Sequence, residues 1–156
     1  MAGVRTFTPE EEAAMAVIRR WCDEGWTQGK VEIADEIIHP GFKVHGAGGQ
    51  VVEPGIEGLK QLITQWRTGF PDAVQRVEDI FAVGDKVCVR LTWEGTHLGE
   101  FMGVPPSGKK VSVGTIGIDR VVDGKVVEGW GELDMLGLMT TIGGVSSTAP
   151  TNDEKG

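Results

Sequence analysis

Asp79 and Arg90 are spaced to meet. They flank Gly84-Asp85, and if those two residues form a tight hairpin turn, the aspartate lies opposite the arginine on the paired strand. A carboxylate held beside a guanidinium stays ionised and oriented, so the pair is either a general base with its positioning partner or a structural ion pair. A histidine can act as acid or base near neutral pH, so His45, in a short extended stretch before a Gly-rich segment, is either a second acid/base group or an ordinary exposed or core histidine. Asp134 stands just before an apolar helical pattern, where a carboxylate either caps the helix or supplies a further acid. Together Asp79, Arg90, His45 and Asp134 would support proton transfer.

Other residue patterns lead away from chemistry. The segment Gly103 to Lys110 approximates a phosphate-binding loop, but Lys109 is followed by Lys110 where Ser or Thr is needed, and the segment joins two strands. The histidines have no paired spacing for a metal, so no metal or other cofactor is expected. Cys22 and Cys88 are far apart and outside any CxxC pattern, which reads as two small buried hydrophobes. His97 near a strand end and His39 before Pro40 read as structural.

These groups must be carried by one domain. A chain of 156 residues with 40% hydrophobic content suffices for a single sizeable core. A net charge of −8 argues against nucleic acid and anionic membrane surfaces, both of which need clustered Lys and Arg. No apolar run is long enough to span a bilayer, and MAGVRTFTPEEE lacks the apolar region of a secretion signal, so a soluble cytoplasmic protein is expected.

Thr8-Pro9-Glu10-Glu11 is a helix start with Thr8 as N-cap and Glu11 closing a capping box. Ala14, Val17, Ile18, Trp21, Cys22 and Gly25 continue one buried face, and Gly29 is a stop. A shorter helix is expected over Val31 to Ile38, then two extended pieces, Phe42 to His45 and Gln50 to Glu53, around the bend Gly46-Ala47-Gly48-Gly49. Leu59, Leu62, Ile63 and Trp66 stripe a second main helix that ends near Gly69. Four strand-like segments follow, Val74–Val83, Lys86–Leu98, Lys109–Val121 and Lys125–Leu133. Gly84-Asp85 suits a tight hairpin and Val122-Asp123-Gly124 a three-residue one. A last helix over Met135 to Ile142 precedes a polar tail, expected to be disordered. Helices first and an antiparallel four-strand meander afterwards point to an α+β architecture with helices on one face of a curved sheet.

Within this frame, a set of short motifs follows in a familiar order: His39-Pro40, Gly55 through Trp66, Phe70-Pro71-Asp72, Gly84-Asp85-Lys86-Val87, Gly95-Thr96-His97, Gly103-Val104-Pro105-Pro106-Ser107-Gly108-Lys109, Arg120 with Asp123-Gly124-Lys125, Glu128-x-Trp130 and Asp134. Over about residues 10–143 the chain resembles the SnoaL-like polyketide cyclases of the NTF2-like superfamily. The resemblance implies a cone-shaped α+β barrel over residues 1–143 with a tail over 144–156, often dimeric, enclosing a pocket between the concave sheet and the N-terminal helices. It implies a cofactor-independent enzyme of natural-product biosynthesis acting on a polyketide-like, largely apolar carbonyl compound.

The resemblance also exposes a departure. In the family's cyclases an Asp on the last strand removes a proton next to a carbonyl and triggers intramolecular aldol closure. Its match here is Gly131, and the matches of its polar neighbours are Gly129, Thr115 and Gly117. With a three-residue turn, Thr115 pairs with Gly131 and Gly117 with Gly129, so all four share one face. The glycines mark either a purely structural feature or a pocket deepened for a larger ligand. Trp26, Leu62, Trp66, Thr115, Gly117, Gly129 and Gly131 are therefore the expected substrate-binding set, Trp26 by its match to a pocket position of the family. The opposite face carries Ile116, Ile118, Glu128, Trp130 and Glu132 and suits packing against a second subunit, so a homodimer is expected. Two alternatives remain, a non-catalytic small-molecule binder on the same scaffold, and epoxide opening or dehydration using carboxylates such as Asp79 and Asp134.

Overall fold

The computed structural model describes residues 5–46 and 51–146. Helix α1 spans Pro9–Arg20, and its start is the capping box read from the sequence: the Thr8 hydroxyl accepts from Glu11 N–H and the Glu11 carboxylate from Thr8 N–H. Glu11 is only 5% exposed and also accepts from Gly84 N–H at 2.9 Å and Arg5 Nη2 at 2.6 Å. The cap thereby fastens the helix to a hairpin of the sheet, and the Thr8 N–H bond first among these holds the Glu11 carboxyl below its usual range.

The helix does not run to Gly29 in one register. It passes into a π-helical turn, Trp21–Thr27, and Gly29 then takes a φ of 71°. Arg67 clamps this turn from outside, its guanidinium donating to the carbonyls of Trp26 at 3.0 Å, Thr27 at 2.8 Å and Pro71 at 2.9 Å. Helix α2 is shorter than expected, Ile33–Ile37, because Ile38 already enters strand β1, Ile38–His45. Strand β2 is Val51–Val52; residues 47–50 of the expected bend and strand, and the expected tail from 147 onward, lie outside the described residues.

Helix α3, Gly55–Gly69, buries Leu59 and Ile63 against the sheet, each such side chain contributing about 1.5–3 kcal/mol. Strands β3 (Val74–Val83), β4 (Lys86–Thr96), β5 (Lys110–Val122) and β6 (Lys125–Leu133) form the expected antiparallel meander, and α4 is Met135–Ile142. The open sheet has six strands in the order β2-β1-β6-β5-β4-β3, and β1 lies parallel to β6. Parallel pairing between segments so distant in the chain leaves no local trace in the sequence.

Burial alternates along the central strands. On β4 the buried side chains are Val87, Val89, Leu91 and Trp93, followed by buried Gly95, and on β5 they are Val111, Val113 and Val121. These side chains face the helices and meet Ile18, Cys22, Phe42 and Leu138 in one core.

The turn between β5 and β6 differs from the expected one. Asp123 and Gly124 both have positive φ, 50° and 74°, making a two-residue turn of the twist that suits a hairpin. An irregularity between Arg120 and Val121 then shifts the register, so Thr115 pairs with Leu133, Gly117 with Gly131 and Asp119 with Gly129. The face assignment survives, because a shift of two residues preserves side-chain alternation.

Candidate functional site

The inner face of β5 and β6 opposes the helices. Along β5 it presents Thr115, Gly117 and Asp119, and across the ladder β6 presents Leu133, Gly131 and Gly129. Of the expected binding residues, Thr115, Gly117, Gly129 and Gly131 are brought together here. The Thr115 hydroxyl oxygen is buried and has no hydrogen-bond partner among the described residues. An added Cβ at Gly131 would meet nothing within 4 Å, so the strip is open there.

At the other end of the strip the space is occupied. A Cβ built on Gly129 would fall 2.7 Å from Asp119 Oδ1 and 3.3 Å from the Phe42 ring, so the glycine makes room for the carboxylate. Asp119 keeps some accessible surface, but its carboxyl is desolvated, and burial alone pushes it up to about 7. Beside it, burial first, and then the Asp119 charge, push the Cys22 thiol up to about 12, so that thiol is neutral. Asp119 was absent from the residues singled out by sequence. Its signal was the alternation Thr115-Gly117-Asp119, which puts it on the glycine face whatever the turn length.

The residues expected to do acid/base work lie elsewhere. Asp79 and Arg90 do pair, Arg90 Nε donating to Asp79 at 2.7 Å, but both are exposed on the outer face of the sheet. The alternation that buries Val89 and Leu91 turns Arg90 outward. His45 is also on the outer face, its ring stacked on Trp130 at 4.7 Å and its Nε2 2.8 Å from Glu128. That hydrogen bond, with a further one from Arg120, holds the Glu128 carboxyl below its usual range. Asp134 caps α4, accepting from Gly137 N–H at 2.8 Å.

The tryptophans connect the helices to a groove. Trp26 meets Trp66 edge-on with centroids 6.4 Å apart, and Trp66 in turn packs on Trp93 at 5.1 Å and Phe101 at 4.8 Å. Gly99 lets the loop after β4 approach α3, since a Cβ there would sit 2.0 Å from the Thr68 carbonyl oxygen. Within that loop region His97 is fully buried and accepts from Ser107 N–H through Nδ1. The result is a groove of about 520 Å³ lined by Leu62, Gln65, Trp66, Phe101, Met102 and Met135 among others. Leu62 and Trp66 thus line one cavity, and Trp26 stands behind it.

Comparison with known proteins agrees with this architecture. The family model for SnoaL-like polyketide cyclases matches residues 16–142. Nogalonic acid methyl ester cyclase of Streptomyces nogalater is 28% identical over 100 residues, 63% of this chain and 74% of that protein. Among solved structures, a Jannaschia sp. CCS1 protein assigned as a SnoaL-like polyketide cyclase superposes with a TM-score of 0.82 at 32% identity, covering 92% of this chain and all (100%) of that one. AclR of Streptomyces galilaeus, assigned as a hydroxylase, gives 0.79 at 28% identity over 90% of this chain and 87% of that one. No helix among the described residues is long and apolar enough to cross a membrane.

Proposed function

The chain belongs to the SnoaL-like polyketide cyclase family, and we propose that it is a cofactor-independent cyclase or isomerase that folds a polyketide-like carbonyl compound against the inner face of β5 and β6. The observation that carries this reading is the strip of Gly117, Gly129 and Gly131 bounded by Thr115 and Asp119. Gly117 and Gly131 leave a wall on which an extended or multi-ring molecule can lie, with Thr115 at one end and Asp119, seated against Gly129, at the other. Asp119 stands four residue rises along the strand from Thr115, about 13 Å, which suits a ligand larger than a simple keto acid. Enforcing a reactive conformation in such a site lowers the barrier by prior orientation.

Leu62 and Trp66, with Trp26 behind them, belong to the groove beside α3 and not to the strip, and the outward-facing Asp79, Arg90 and His45 stand outside the proton transfer. The outer face, with Ile116 54% and Ile118 40% exposed beside Trp130, is the surface on which we place a homodimer contact. A non-catalytic binder is favoured by one observation, the glycine at position 131, where the family's cyclases carry their Asp. Incubation with nogalonic acid methyl ester, followed by chromatography and mass spectrometry, separates the readings. A new product of unchanged mass supports the enzyme; retention of the unaltered compound supports the binder.

A further inference from the structure

We propose that Asp119 is the proton-transferring group of this chain, working at the closed end of the glycine strip. The proposal rests on the reading of the chain as an enzyme of proton transfer and names the residue that performs it.

The geometry sets Asp119 apart from the paired acids among the described residues. Glu11 is held by two backbone N–H groups and Arg5, Asp72 by Thr96, Glu78 by Thr92 and Arg76, Glu94 by Arg76, and Glu128 by His45 and Arg120. Among the described residues no donor reaches Asp119, and desolvation is the sole cause acting on its carboxyl. A structural carboxylate facing a core is paired; an unpaired one destabilises the fold, a cost that functional sites carry. The surroundings also make space for it, since Gly129 lies directly opposite and any side chain there would collide with Oδ1.

With a carbonyl compound on the strip, ionised Asp119 takes a proton from a carbon next to the carbonyl, and the C–H electron pair passes into the enolate. In ring closure that carbon forms a C–C bond to a second carbonyl carbon of the same molecule, whose π pair becomes an alkoxide. The alkoxide then takes the proton back from the Asp119 carboxylic acid. Nothing is oxidised, no group departs and the mass is unchanged. A carboxyl that titrates near 7 can act in both directions at neutral pH.

The test uses 5-nitrobenzisoxazole, a flat carbon acid whose deprotonation breaks its N–O bond and releases a coloured phenolate. The wild-type protein should accelerate this reaction, and Asp119→Asn should lose at least about tenfold of the rate. Glu78→Gln, on an exposed strand position, should keep it. Gly131 is the diagonal neighbour of Asp119 on the same face and has open space, so Gly131→Asp in the Asp119→Asn background should recover part of the activity. A folded Asp119→Asn protein, checked by thermal melting, that keeps the wild-type rate would overturn the proposal, as would no acceleration by the wild type. Turnover of nogalonic acid methyl ester that survives Asp119→Asn would remove Asp119 from the reaction and leave the cyclase reading standing. Absence of that turnover with a working Asp119-dependent reaction on the benzisoxazole would do the reverse.

Discussion

Asp119 and Gly129 face each other across β5 and β6, and the carboxylate fills the volume that a side chain at position 129 would need, Oδ1 lying 2.7 Å from the place of a Cβ. Gly129→Ala should therefore push the carboxylate or the Phe42 ring aside and cost about 1–3 kcal/mol, whereas Gly131→Ala, with open space before it, should stay within about 0.5 kcal/mol. Urea denaturation of the two variants checks this. Equal losses would contradict the packing described.

The pH dependence of stability should carry the signature of Asp119. Its folded-state carboxyl is raised from 3.8 to about 7, so below pH 3.8 both folded and unfolded forms are protonated and nothing is lost. As pH rises through that window the unfolded chain ionises first, and stability falls until the folded carboxyl has ionised too. The gap corresponds to about 4 kcal/mol. Cys22, the titratable neighbour, stays neutral throughout because its thiol is pushed up to about 12. Asp119→Asn should thus be more stable than wild type at pH 8, by up to about 4 kcal/mol, with the advantage gone by pH 4. A difference that does not change with pH would count against a desolvated carboxylate.

How much of this was legible in the sequence varies with the range of the interaction. The capping box of Thr8 and Glu11, the Gly84-Asp85 hairpin and the pairing of Asp79 with Arg90 are local, and each stands as read. The face on which the Asp79–Arg90 pair lies was not legible, because strand alternation gives two faces and does not say which one meets the helices. The parallel contact of β1 with β6 joins distant segments, and the π-helical turn at Trp21–Thr27 keeps the apolar spacing of an ordinary helix. Asp119 escaped notice because an acid in a strand reads as solvated until Gly129 is known to stand opposite it. That knowledge needs the two-residue turn at Asp123-Gly124 and the shifted register behind it.

The Asp79–Arg90 pair should be energetically minor. Both side chains are more than half exposed, 62% and 53%, and exposed pairs of this kind couple by about 0.2–1 kcal/mol. A double-mutant cycle with Asp79→Ala and Arg90→Ala should give a coupling in that range that shrinks in high salt. Turnover should be untouched by either substitution, and a large loss would return the pair to the list of working groups.

The outer face offers an independent prediction. Ile118 is exposed beside Trp130 and Ile116, and placing a charge there should weaken a dimer formed through this face without disturbing the core. Analytical ultracentrifugation should show Ile118→Lys shifted towards monomer relative to wild type. An identical sedimentation profile would place the subunit contact elsewhere.

The most direct measurement of the central claim is the pH profile of kcat/KM for wild type and Asp119→Asn with 5-nitrobenzisoxazole. The account predicts a wild-type rate that rises with pH through a midpoint near 7, as Asp119 ionises, and a variant that is slower and lacks this limb. A variant with the same rising limb as the wild type would show that another group carries the proton.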